Sequence, residues 1–157
     1  MERKSTVEIK PAYDDLDAIR SLFNEYTAWL DMDLTFQGFA EEFANLPGKY
    51  AMPDGRLYLA ARGGEAAGCV ALRRFDEARA EIKRLYVRPA FRGSGLGRLL
   101  VDKVIADARD IGYAGIVLDT AGHMRDAARL YGKCGFTAIA PYYDNPYPDM
   151  TYMRLDL

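Results

Sequence analysis

Arg92-Gly93-Ser94-Gly95-Leu96-Gly97 stands between an extended segment, Ala80-Glu81-Ile82-Lys83-Arg84-Leu85-Tyr86-Val87, and a run in which Leu96, Leu100, Val104, Ala108 and Ile111 recur at helical spacing. Three glycines in five residues, placed between a strand and a helix, bring several backbone N–H groups to a helix N-terminus. That end carries about half a positive charge, which suits a pyrophosphate. Glycine is needed there because a Cβ blocks close approach and because such loops often require positive φ. Residues 79–98 add six basic side chains against one acid, Glu81.

Other readings of the loop are weaker. A Walker loop requires Gly-Lys-Ser/Thr, and none follows. A dinucleotide fingerprint fits Gly93 and Gly95, and Asp119 ends the next strand. Its third small residue, however, would fall on Arg98 or Leu100, neither of which lets helix and strand pack closely. A simple tight turn leaves the local charge unexplained.

Upstream, Thr6 to Lys10 alternates and stops at Pro11, predicting a first strand. Asp14-Asp15 cap a helix of about 15 residues with apolar Leu16, Ile19, Leu22, Phe23, Tyr26 and Leu30. A shorter helix is expected from about Phe36 to Asn45. Residues 56–61 and 68–72 read as strands joined through Gly63-Gly64-Glu65, and residues 80–87 as a further strand. Downstream, Gly112 stops the helix and residues 116–118 form a short strand. Residues 124–134 are helical, and 136–140 and 151–157 pair as final strands. The expectation is one mixed α/β domain spanning 1–157, with about seven strands and four helices.

At 157 residues with a formal net charge of -2, nothing points to nucleic acid or membrane as a partner. No apolar run nears the ~18 residues of a membrane span, and no secretory leader is read behind Met1, so a cytoplasmic location is expected. Cys69 and Cys134 lie far apart and read as free thiols. With His123 as the only histidine, soft ligands are too few for a zinc site, and no metal is expected.

The glycine loop resembles the Arg/Gln-x-x-Gly-x-Gly/Ala motif of the GNAT (Gcn5-related N-acetyltransferase) superfamily. Ile82 to Pro89 before it looks like that family's fourth strand. Ala127-Ala128-Arg129-Leu130-Tyr131-Gly132-Lys133-Cys134-Gly135-Phe136 is similar to its A-x-x-L-Y-x-x-x-G-F segment. The resemblance implies a mostly antiparallel sheet with splayed central strands, and an enzyme that moves an acetyl group from acetyl-CoA to a primary amine by direct attack. It implies that Leu85, Tyr86 and Val87 line the pantetheine. It further implies that Arg92, Gly93, Ser94, Gly95, Leu96 and Gly97 hold the pyrophosphate, with Arg98 nearby; enzymes of that family are often homodimers, and the sequence leaves the oligomeric state of this chain open. Many relatives carry Asn where Met124 stands.

By the same resemblance Tyr131 is the general acid for the leaving thiol, and Glu81 is the general base. Two-residue alternation puts Glu81 on one strand face with Lys83 and Leu85. His123 is a rival base because histidine is the residue type suited to proton transfer at neutral pH, and a water is another. Residues 14–42 carry eight acids (Asp14, Asp15, Asp17, Glu25, Asp31, Asp33, Glu41, Glu42) against Arg20. The loop Pro141 to Asp149 adds Tyr142, Tyr143 and Tyr147 and two more acids. Together they read as an acidic, aromatic rim for a cationic amine, small-molecule or peptide. A non-catalytic acyl-CoA-binding module is the alternative.

Overall fold

The computed structural model describes residues 6–32 and 38–157. Gly63 and Gly64 both take positive φ (59° and 81°), the geometry of a two-residue hairpin turn. They join β2 (Arg56–Arg62) to β3 (Glu65–Arg74). The other strands are β1 (Val7–Pro11), β4 (Arg79–Val87), β5 (Gly115–Ala121), β6 (Thr137–Ile139) and β7 (Met150–Asp156). All seven make one sheet in the order β1-β2-β3-β4-β5-β7-β6. Every described pairing is antiparallel except β4 with β5.

The helices are α1 (Leu16–Leu30), α2 (Phe39–Ala44), α3 (Leu96–Ile111) and α4 (Arg125–Lys133). Asp15 caps α1 by accepting from the Ala18 N–H, and Gly112 ends α3 in the left-handed region. The expected start of α2 at Phe36 lies outside the described residues, as does Asp33. Its described part is shorter than the periodicity predicts. The sheet divides two cores. On one face Ala80, Ile82, Ile116 and Leu118 pack against Leu96, Leu100 and Val104 of α3 and Tyr131 of α4. On the other, Leu57, Leu59, Cys69 and Tyr86 pack against Ile19, Leu22 and Phe23 of α1. No helix among the described residues is long and apolar enough to cross a membrane.

Two local features position the site. The parallel pair β4–β5 is joined at only three positions, Arg79–Gly115, Ala80–Ile116 and Glu81–Val117. Beyond Glu81 the strands diverge and leave a cleft, as the resemblance implies. A β-bulge then falls inside β4. Cys69 pairs with Tyr86 and Ala71 with Lys83, so the strand carries an extra residue at Arg84–Leu85. Arg84 takes φ 61°, a conformation costly for a side chain with a Cβ.

The bulge corrects one expectation. Leu85 and Val87 pack on the α3 core with Ala80 and Ile82, while Tyr86 joins the α1 core. Leu85 is therefore on the opposite face from Glu81. Strict alternation fails at Arg84 because two residues there oppose one on β3.

Candidate active site

At the start of α3, Gly95 is the N-cap at φ 80°, and no side chain caps the helix. Gly93 also takes positive φ (79°), and nothing lies within 4 Å of where a Cβ would sit at either glycine. The first N–H groups of α3 are thus left to donate to an anion's oxygens. Gly97 has a different reason. A Cβ there would come within 3.1 Å of Leu130 on α4, so glycine lets the two helices close.

From this loop a groove runs along β4 to the bulge, lined by Leu85, Tyr86, Val87, Arg92, Gly93, Gly95, Leu96 and Gly97. Arg92 donates from Nε to the Val87 carbonyl at 2.9 Å, and its guanidinium lies 4.7 Å from the Trp29 ring centroid. Two residues of the expected cofactor set stand apart. Ser94 turns its hydroxyl back to the Phe91 carbonyl at 2.6 Å, bracing the loop. Arg98 is held by Asp102 at 3.0 Å on the outer face of α3 and does not line the groove.

The groove ends in the cleft between the diverging strands. Its walls include Lys83 and Leu85 from β4, Asp119 and Thr120 from β5, Tyr26 and Trp29 from α1, and Tyr131 from α4. Burial pushes the Tyr131 phenol well above its ordinary pKa, and the hydroxyl of Tyr26 and the charge of Asp119 push the same way. Tyr131 therefore keeps its proton throughout the neutral range. Its ring also packs edge-on against Phe136, 5.6 Å between centroids.

Glu81 sits lower, where β4 and β5 are still paired. It is buried, with Oε1 held by Arg73 Nη1 at 3.3 Å and Oε2 accepting from the Tyr142 hydroxyl. It lines a second groove on the α1–α2 face, not the cleft that holds Tyr131. Lys83 lines both spaces. Desolvation lowers the Lys83 ammonium pKa, opposed first by the charge of Glu81. Asp119, two residues beyond Val117, accepts from the Tyr143 hydroxyl.

His123 is exposed. Its Nε2 lies 3.2 Å from the Leu30 carbonyl, and the ring borders a third opening with Trp29, Asp31, Tyr147 and Asp149. The acid count of residues 14–42 overstates what faces this rim. Glu25 is bound to Arg88 at 2.6 Å and Glu42 to Arg84 at 2.9 Å. Met124 packs beside Leu30 and Ala121.

Sequence reading missed Trp29, Lys83 and Asp119 as members of this site. Trp29 lies off the apolar stripe of α1 yet lines all three of the cleft, the groove beside the glycine loop and the rim. A lone tryptophan at a helix end, outside the buried face, was the available signal.

The Acetyltransferase (GNAT) family model matches residues 16–136, and the chain belongs to that family. It is 46% identical over 146 residues to an N-acetyltransferase of Schizosaccharomyces pombe, covering 91% of this chain and 89% of that protein. Among solved structures it is similar to an acetyltransferase of Streptococcus agalactiae, with a TM-score of 0.81, 26% identity, and coverage of 96% and 98%. It also superposes on a Salmonella typhimurium protein whose structure holds its cofactor acetyl-CoA. There the TM-score is 0.69, with 26% identity and coverage of 96% and 93%.

Proposed function

We propose that this acetyltransferase transfers the acetyl group of acetyl-CoA to a primary amine within the cleft between β4 and β5. One observation carries the reading. An uncapped helix start with two left-handed glycines opens onto a groove leading to a buried, protonated tyrosine. A long, thin, diphosphate-bearing thioester fits that path, with its sulfur end near Tyr131.

The amine nitrogen attacks the thioester carbonyl carbon, and the C–S bond breaks as the tetrahedral intermediate collapses. Tyr131 donates to the departing sulfur. A thiol of pKa ~8.5 is a good leaving group, so this donation helps without being indispensable. Removing the ammonium proton is harder. An alkylammonium of pKa ~10.4 is about one part in a thousand neutral near pH 7.4, equivalent to roughly 4 kcal/mol.

A carboxylate is the base. Glu81 is the reading from family resemblance, and it would act through Tyr142, because both its oxygens are engaged. Asp119 is favoured by a separate observation, since it lines the same cleft as Tyr131. Asp31 and Asp149, beside Trp29 and Tyr147, form the rim that draws in the ammonium. The test is thiol release from acetyl-CoA against amines, amino acids and peptides. Acetyl-CoA binding with no release by any acceptor would support the non-catalytic module instead.

A further inference from the structure

Adjacent tyrosines in the loop before β7 serve the two carboxylates of the site and leave them in different states. Tyr142 donates to Oε2 of Glu81, whose Oε1 is taken by Arg73, so both oxygens of Glu81 are closed. Tyr143 donates to Oδ2 of Asp119. Among the described residues Oδ1 of Asp119 receives no hydrogen bond, and Asp119 lines the cleft that also holds Tyr131.

The contact on Asp119 ends a chain of hydrogen bonds that runs in one direction. The Tyr147 backbone N–H can only donate, and it donates to Asn145 Oδ1 at 2.8 Å. That fixes the Asn145 amide with Nδ2 toward the Tyr143 hydroxyl oxygen, to which it donates at 2.8 Å. The Tyr143 oxygen thus accepts from Asn145, and a carboxylate serving as base can only accept, so the phenol turns its proton to Asp119. Packing holds the ring in place. It lies 5.3 Å from the Tyr142 ring and stands edge-on to Tyr152 at 5.8 Å, and Tyr152 pairs with Asp119 across β5 and β7.

We propose that Tyr143, oriented by Asn145, is the positioning residue for the base: it holds Oδ2 of Asp119 so that Oδ1 stays presented to the acceptor nitrogen. The inference rests on Asp119 being the base in the acetyltransferase reading above. A carboxylate free to rotate spreads its lone pairs over many directions, whereas a base must meet its proton within about 3 Å. One charge-assisted hydrogen bond to the far oxygen fixes that rotation. Tyr143 keeps its own proton while Oδ1 takes that of the ammonium. The other groups that face Asp119 are Lys83 of β4, Tyr26 of α1 and Tyr131 of α4 in the cleft, together with Tyr142 of the loop and Tyr152 of β7. All of them stay in every variant below, which isolates the Tyr143 contact.

The test is a double-mutant cycle read by thiol release from acetyl-CoA. The acceptor is whichever of 2-phenylethylamine, leucine, lysine and an alanyl peptide the wild type turns over fastest. Tyr143→Phe keeps the ring contacts and should lower kcat/KM about 10-fold at pH 7, through kcat, with the KM for acetyl-CoA unchanged. That loss should shrink below about 2-fold as pH approaches the acceptor pKa, where free amine no longer needs a base. In an Asp119→Asn background the same substitution should cost less than about 2-fold. Asn145→Asp puts an acceptor where the amide donates, draws the Tyr143 proton away from Asp119 and should reproduce most of the Tyr143→Phe loss. It carries the comparison if Tyr143→Phe does not fold.

Full activity in Tyr143→Phe, a loss equal at every pH, or a loss that adds in full to that of Asp119→Asn would overturn the inference and leave Asp119 as the base. Full activity in Asp119→Asn would overturn the choice of base and this inference with it, with the acetyltransferase reading intact. Release with no acceptor would overturn all three.

Discussion

Arg84 of β4 grips Glu42 of α2 through two nitrogens, Nε to Oε2 at 2.9 Å and Nη2 to Oε1 at 3.2 Å. The contact joins a helix of the acceptor side to the residue at which β4 bulges and takes φ 61°. The Arg84 side chain is 2% exposed and that of Glu42 19%, so the pair is largely withdrawn from water. Glu42→Ala would leave the buried guanidinium without this carboxylate, and such losses cost about 3–5 kcal/mol. Partial exposure of Glu42 places the expected loss near the lower end, ~3 kcal/mol. Denaturant unfolding should show it. Glu42→Gln, which preserves shape and one acceptor, should lose less.

Tyr131→Phe keeps the ring packed on Phe136 and removes only the hydroxyl. The expected result is a fall in kcat of about 10- to 100-fold, with little change in the KM for acetyl-CoA. The pH profile gives a second check. Burial raises the Tyr131 phenol above its ordinary value, so its proton is lost only at higher pH than a free tyrosine's. Wild-type kcat/KM should therefore rise as the acceptor amine deprotonates, without a falling limb from Tyr131 below about pH 10.

Gly95→Ala tests the donor loop. At φ 80° an alanine is strained by about 1–2 kcal/mol, although no neighbour would touch its Cβ. The loop should shift to relieve that strain and misalign the first N–H groups of α3. Binding of acetyl-CoA, read by calorimetry, should weaken about 5- to 20-fold while the acceptor KM stays close to wild type.

Local chemistry made much of this molecule legible. Gly112 marked the end of α3, and Gly63-Gly64 marked the β2–β3 turn, because each glycine supplies a backbone geometry other residues avoid. The proposed donor side was read from Arg92 to Gly97, a contiguous stretch that would act mostly through its backbone. The acceptor side was not readable in the same way. Lys83, Asp119 and Trp29 come from three elements and meet only through the strand divergence after Glu81 and the bulge at Arg84. A bulge has no compositional mark in Lys83-Arg84-Leu85, so alternation put Leu85 on the wrong face. Charge counting along residues 14–42 erred similarly, because the arginines that hold Glu25 and Glu42 lie more than forty residues away, Arg84 on β4 and Arg88 just past its end.

The base is the point at which sequence and geometry diverge, and two substitutions separate them. Glu81 has both oxygens engaged and lines the α1–α2 groove, while Asp119 lines the cleft with Tyr131. A base must come within about 3 Å of the nitrogen or reach it through one water. On that criterion Asp119→Asn should lower kcat/KM about 100-fold at pH 7, with the loss shrinking as pH approaches the acceptor pKa and free amine becomes abundant. Glu81→Gln should lose less than about 5-fold, because it weakens the Arg73 contact without touching the reacting atoms. The reverse order of losses, accompanied by a comparable loss in Tyr142→Phe, would return the role to Glu81 acting through the Tyr142 hydroxyl. Each variant's melting temperature, measured alongside, separates lost chemistry from lost fold. Asp119→Asn keeps an oxygen for Tyr143 and should melt within a few degrees of the wild type.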